Sequence, residues 1–133
     1  MAELTYTMVS KMLDHSLLQQ TLTDADLEKG CLLAREYNVA SVCIKPYAVK
    51  LATAILKGST VAPSTTIGFP HGGHVTAIKV AESQQAMADG AIELDMVVNI
   101  GKVLSKDWRR VADDIRAVVE AAHQQKALVL RSG

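Results

Sequence analysis

Aromatic residues are scarce in this 133-residue chain, at one Trp, one Phe and three Tyr. Its ordinary apolar content of 49% is therefore almost wholly aliphatic, as in a plain globular domain. There are only two cysteines, Cys31 and Cys43, too few for a disulfide framework. Formal net charge is zero, which leaves no basic footprint for nucleic acid or for an anionic membrane. No apolar run approaches the ~18 residues of a spanning helix. The N-terminus Met1-Ala2-Glu3-Leu4 places an acid early and lacks the basic-then-apolar layout of a signal peptide. These absences point to a cytoplasmic enzyme or module with a single core.

What is present is an alternation. Met12-Leu13-Asp14-His15-Ser16-Leu17-Leu18, Ala40-Ser41-Val42-Cys43-Ile44, the run 60–67 and the run 91–98 read as strands. A leading helix or arm spans 4–11. Thr23 is the expected N-cap of a helix whose buried stripe is Leu27, Cys31 and Ala34, and Asp24, Asp26 and Glu28 suit its positive end. Asn38 ends that helix, since Asn tolerates left-handed geometry. Further helices are expected over 47–57, ending at Gly58, and over 75–89, ending at Gly90. The last helix has the clearest pattern. Ser105 is its expected N-cap, and Trp108, Val111, Ile115, Val118, Val119 and Ala122 form its apolar face. Arg109, Arg110, Asp113, Asp114, Arg116 and Glu120 form its polar face. A fifth strand begins at Ala127-Leu128-Val129-Leu130.

Alternating strands and helices on short connections imply an α/β protein with parallel strands. Two architectures compete. Length favours an open doubly wound sheet, because a (β/α)8 barrel takes about 250 residues. No Gly-x-Gly-x-x-Gly follows the first strand, which weakens the dinucleotide-binding form of the open sheet. Polar residues spread over several separate strands favour the barrel, whose catalytic groups are placed in that way.

The most informative segment is Glu93-Leu94-Asp95-Met96-Val97-Val98-Asn99-Ile100-Gly101. Carboxylates avoid central strands unless something pairs with them or uses them. Asp95 is therefore either a paired structural carboxylate, for example with Lys102, or a catalytic group. His71 and His74 flank two glycines and suggest a metal loop at first sight. Zinc needs three or four ligands and no further ligand lies close in sequence, so a surface loop is the better reading and no metal site is expected.

Four segments taken together resemble the deoxyribose-phosphate aldolases: Asp14-His15-Ser16-Leu17-Leu18, Ala40-Ser41-Val42-Cys43-Ile44-Lys45-Pro46, Thr66-Ile67-Gly68-Phe69-Pro70-His71-Gly72 and the Asp95 segment. Each is weak alone, but their order and spacing are specific, and the likeness runs up to Val129. The resemblance implies a (β/α)8 barrel, with this chain supplying about four βα units and a fifth-strand stub. Residues 1–133 would then be one barrel domain, strands one to five of eight. It also implies a cofactor-free class I aldolase that cleaves 2-deoxyribose 5-phosphate to glyceraldehyde 3-phosphate and acetaldehyde through a lysine Schiff base. Asp95 matches the catalytic aspartate that organises proton transfer. Asp14 and Ser16 match positions lining the substrate end, and Cys43 a small residue at the site wall. Bland alternatives stand beside these: Asp14 as a turn cap, Ser16 as no site residue at all, Cys43 as a small core hydrophobe.

The departures from the family pattern are abrupt. The resemblance places the Schiff-base lysine on strand six in a Lys-Thr-Ser-Thr-Gly phrase, a second lysine on strand seven, and phosphate-binding loops after strands seven and eight. The chain contains none of these, and Leu130-Arg131-Ser132-Gly133 stands where a Lys-Val-Ile run is expected. A truncation or frameshift after Val129 is the expected cause. Lys45, where the family often has Asn, is the only lysine worth considering as a substitute amine. The expected substrate is a small phosphosugar. A half-barrel also leaves two strand edges and an inner face lined by Val42, Ile44, Ile67 or their neighbours, so a homo-oligomer is expected.

Overall fold

The computed structural model describes residues 3–132. Met1, Ala2 and Gly133, which belong to the N-terminal and tail readings, lie outside the described residues. Helix α1 (Tyr6–Ser10) leads into β1 (Asp14–Leu17), α2 (Asp24–Glu36), β2 (Ser41–Ile44), α3 (Val49–Leu56) and β3 (Ala62–Ile67). Then follow α4 (Thr76–Ala88), β4 (Glu93–Val97), α5 (Ile100–Leu104), α6 (Trp108–Gln124) and β5 (Leu128–Ser132).

The five strands pair in parallel in the order β1-β2-β3-β4-β5. Crossovers between parallel neighbours are right-handed. When every step goes the same way across the sheet, all the helices fall on one face. A doubly wound sheet reverses its strand order to carry helices on both faces. No reversal occurs here, so the open-sheet alternative gives way to the consecutive βα units of a barrel.

One core forms between sheet and helices. Leu17, Val42, Ile44, Ile67, Leu94 and Met96 supply the sheet side. Leu27, Cys31 and Ala34 of α2, Val49 and Ala52 of α3, Ala86 and Met87 of α4, and Val118 and Ala122 of α6 supply the helix side. Thr23 caps α2 in a reciprocal capping box with Asp26. Asn38 takes the left-handed conformation, with φ 50°, just after the end of α2. Gly30 lets α2 approach β1, because a Cβ there would collide with the Leu17 side chain.

Of the two alternatives for the inner face, the neighbours of Val42, Ile44 and Ile67 line it, since those three belong to the helix-side core. Four details differ from the sequence reading. The last helix begins two residues later than expected. Asp107, not Ser105, is its N-cap and accepts from the Arg110 amide at 3.3 Å. Ser105 instead closes α5, an unforeseen helix capped by Asn99, and Lys106 at φ 57° breaks the path between the two helices. Trp108 is 59% exposed, because the buried face of α6 is Asp114, Val118, Ala121 and Ala122 and starts more than a turn later. Asp114, assigned to the polar face, is buried because Lys79 of α4 meets it there at 2.6 Å.

Candidate active site

Side chains alternate across a strand, so the residues between the core positions point to the face without helices. Leu94 and Met96 are fully buried against the helices, and Asp95 between them therefore faces inward. By the same parity Asp14 and Ser16 of β1, Ser41 and Cys43 of β2, Ser64 and Thr66 of β3, and Glu93 of β4 share that face. The strand register arranges them in rows. Asp14 pairs with Ser41. Ser16, Cys43, Ser64, Glu93 and Leu128 follow one another across all five strands. Thr66, Asp95 and Leu130 form the next row toward the strand ends. The four residues singled out from sequence, Asp14, Ser16, Cys43 and Asp95, thus lie on one surface.

Their surroundings are acidic and rich in hydroxyls. Ser41 Oγ donates to Asp14 Oδ1 at 2.8 Å and stands beside Glu93. Glu93 is held above the usual carboxylate range, first by partial burial and then by the charge of Asp14, with the Ser41 hydroxyl working the other way. The Cys43 thiol is pushed up to about 12, chiefly by burial and further by Asp14, Asp95 and Glu93, while contact with Ser64 opposes this. A thiol so placed stays protonated at neutral pH and is no nucleophile. Cys43 is a small wall residue by this measure. Ser64 is 1% exposed, and its hydroxyl has no hydrogen-bond partner of good geometry.

Glu93, Ser41, Ser64 and Thr66 went unrecognised as members of this surface. The signal was available for Glu93 and Ser41, which stand two residues before Asp95 and Cys43 and so share their faces. Lys45 follows the inner parity of β2, but its Nζ donates to the Leu22 carbonyl at 2.9 Å and the Gln20 carbonyl at 3.3 Å. It ties the end of β2 to the β1–α2 loop. None of the five strands contains a lysine. His71 and His74 are exposed on the β3–α4 loop. Among the described residues no group of three or more His, Cys, Asp or Glu is placed to hold a metal ion. Chemically, the surface offers several carboxylates with hydroxyls between them, which suits proton transfer, and among the described residues it offers no amine.

Residues 8–130 match the sequence pattern of the DeoC/LacD family aldolases. The chain belongs to that family. It is 58% identical over 123 residues to the deoxyribose-phosphate aldolase of Rhodopirellula baltica, a match covering 92% of this chain and 51% of that protein. A solved structure described as a putative deoxyribose-phosphate aldolase from Coccidioides immitis superposes with a TM-score of 0.90 at 34% identity, over 98% of this chain and 51% of the other. The deoxyribose phosphate aldolase of Aeropyrum pernix, described as a unique tetramer, gives 0.85 at 22% identity, with 96% and 53% covered, and so speaks for the fold alone. The chain spans about half the length of the relatives it matches. The family assignment accounts for both the one-sided sheet and the polar inner face. It makes the fold the first part of a (β/α)8 aldolase barrel.

Proposed function

We propose that this chain is the acid/base wall of a deoxyribose-phosphate aldolase. In the completed barrel the reaction is cofactor-free cleavage of 2-deoxyribose 5-phosphate to glyceraldehyde 3-phosphate and acetaldehyde. A lysine Schiff base from the other half serves as the electron sink. Asp95 organises proton transfer, Asp14 and Ser16 line the substrate end, and Cys43 shapes the wall. The observation that carries this reading is Asp95's inward position on β4, within a surface that also holds Asp14, Cys43 and Glu93. The cytoplasm is the compartment this reading implies, and no described helix is long and apolar enough to cross a membrane.

Two measurements test it. The 133-residue chain alone lacks the amine, so it forms no borohydride-trapped adduct with substrate and shows negligible turnover. Cleavage within a hundredfold of the full-length Rhodopirellula relative would defeat that claim. Joined after Val129 to the unmatched half of that relative, the chain should cleave 2-deoxyribose 5-phosphate. Asp95→Asn in the fusion should then lower kcat by about 10²–10⁴, the usual weight of a proton-transfer group. An Asp95→Asn fusion as active as its parent removes Asp95 from the mechanism.

A second reading, a self-associating half-barrel, is favoured by one observation. Leu128 and Leu130 are 59% and 46% exposed on inner-facing positions of β5, beside a strand edge that no described strand covers. A two-fold dimer would cover them and complete the inner surface from two copies. Sedimentation at micromolar concentration decides: a dimer or larger species supports self-association, and a compact, cooperatively unfolding monomer defeats it.

A further inference from the structure

The largest wholly buried side chain among the described residues is charged: Lys79, in the first turn of α4. Its Nζ donates to Asp114 Oδ2 of α6 at 2.6 Å and to the carbonyl of Val97, the last residue of β4, at 3.0 Å. The second oxygen of Asp114 accepts from Thr76 Oγ1 at 2.8 Å. Two helices and a strand end therefore converge on one ammonium group.

The β3–α4 loop closes over the same point. Gly68 adopts φ +70°, and a Cβ there would lie 2.8 Å from Lys79 Cε, so the loop begins directly against the lysine stem. The Gly68 amide donates to Glu82 Oε2 at 2.8 Å, one turn further along α4. Gly72 adopts φ +64°, and a Cβ there would collide with the Val98 carbonyl. The exit of β4 is thus held by the ammonium at Val97 and closely packed by the Gly72 backbone at Val98. Asp95 stands two residues before Val97.

Stability is a weak reason to keep such a pair. Taking two charges out of water costs about as much as their attraction returns, and apolar replacements of similar size are often neutral or better. What an ammonium does and a leucine cannot is hold a particular carbonyl in a particular direction. We infer that the Lys79–Asp114 pair, braced by Thr76, is a latch that fixes the exit of β4 and the β3–α4 loop and thereby positions Asp95. Within the aldolase reading given above, on which the functional meaning rests, Lys79 and Asp114 are positioning residues. They do not touch the reacting atoms.

The test compares the intact chain with the double variant Lys79→Met/Asp114→Val, which removes both charges with little change of volume. The urea midpoint should stay near that of the parent. Amide exchange at Val97, Val98 and Asn99 and at Gly68, Phe69, His71 and Gly72 should speed up about tenfold, the equivalent of one lost charge-assisted hydrogen bond. Amides of β1 and β2 should keep their rates. The Asp95 ¹³Cγ resonance should move further than that of Asp14. A folded double variant with parental rates at the β4 exit overturns the inference. So does a uniform rise in exchange with a fallen midpoint, which is the mark of a pair serving stability alone. Should the double variant fail to fold, Thr76→Val, which keeps the ion pair and removes its brace, should quicken the same amides, and Thr76→Ser should restore them. Parental rates in Thr76→Val then overturn it. None of these readouts needs substrate, so an inactive fusion with an intact latch would sink the aldolase reading and leave this inference standing.

Discussion

The two faces of this sheet are built by alternate residues of the same strands, yet they obey different rules. On the helix side Val42, Ile44, Ile67, Leu94 and Met96 are wholly buried and apolar. Thr65, polar and wholly buried on the same side, donates its hydroxyl to the Ile44 carbonyl at 2.6 Å. On the inner side Asp14, Glu93 and Asp95 share the surface with Ser41, Cys43, Ser64 and Thr66, and the Ser64 hydroxyl is left without a partner. Buried polar groups are normally satisfied, and exceptions concentrate where a protein does chemistry. The helix side holds the fold together, and the inner side carries the polar groups on which the proposed function rests.

The sharpest way to break this contrast is to truncate adjacent residues of β4. Leu94→Ala should cost about 2–5 kcal/mol in urea unfolding, for lost transfer energy and the cavity left behind. Asp95→Asn, one residue along and half-buried, should change stability by no more than about 1 kcal/mol. Comparable losses at the two positions would mean that the inner face carries the fold as well.

The two buried thiols extend the comparison to pH, since Cys31 lies in the helix-side core and Cys43 on the inner face. Burial raises Cys31 to about 11, and burial with the nearby carboxylates raises Cys43 to about 12. A folded-state pKa above the unfolded value means that the unfolded chain releases the proton first. The stabilisation is complete below about pH 9 and is lost as pH rises toward 11 and 12. Between pH 9 and 10 stability should fall by about 1 kcal/mol per thiol. Cys43→Ser should remove part of that slope. Neither thiol should react with an alkylating reagent at pH 8 until the chain unfolds. Rapid labelling of Cys43 in the native state would contradict its assignment as an inert wall residue.

The smallest effects come from a neighbouring pair on β3. Thr65→Val removes the bond to Ile44 and should cost about 1 kcal/mol. Ser64→Ala removes a buried hydroxyl with no partner and should be neutral or stabilising by up to about 1 kcal/mol. Equal losses would show that Ser64 is satisfied in solution.

Much of the architecture was legible. The alternation of strands and long helices, the Thr23 cap and the Asn38 stop follow from local rules of period and capping, which act within a few residues. The readings that failed share one cause. Asp114 sits on the polar side of the α6 pattern, but a lysine 35 residues earlier in the chain meets it in the interior. Trp108 fits the apolar period of α6, but it lies in a first turn whose face the core does not reach. Ser105 has the chemistry of an N-cap, but Asp107 wins because Lys106 turns left-handed between the two short paths.

The sequence by itself determined that the strands are parallel, that helices alternate with them, and which residues of each strand share a face. Those properties depend on neighbours in the chain and on the fixed handedness of the polypeptide. It also carried the segments that place the chain among the aldolases. The resemblance already implied the barrel; strand pattern alone left barrel and open sheet both open, because strand order is a relation between distant segments, and the unreversed order in the structure agrees with the barrel. The tertiary structure alone gathered Ser41, Ser64 and Glu93 beside Asp14, Cys43 and Asp95. It alone showed that Lys79 is buried, because what the ammonium needs comes from α6 and the end of β4. No local pattern encodes a partner that folding brings from so far along the chain.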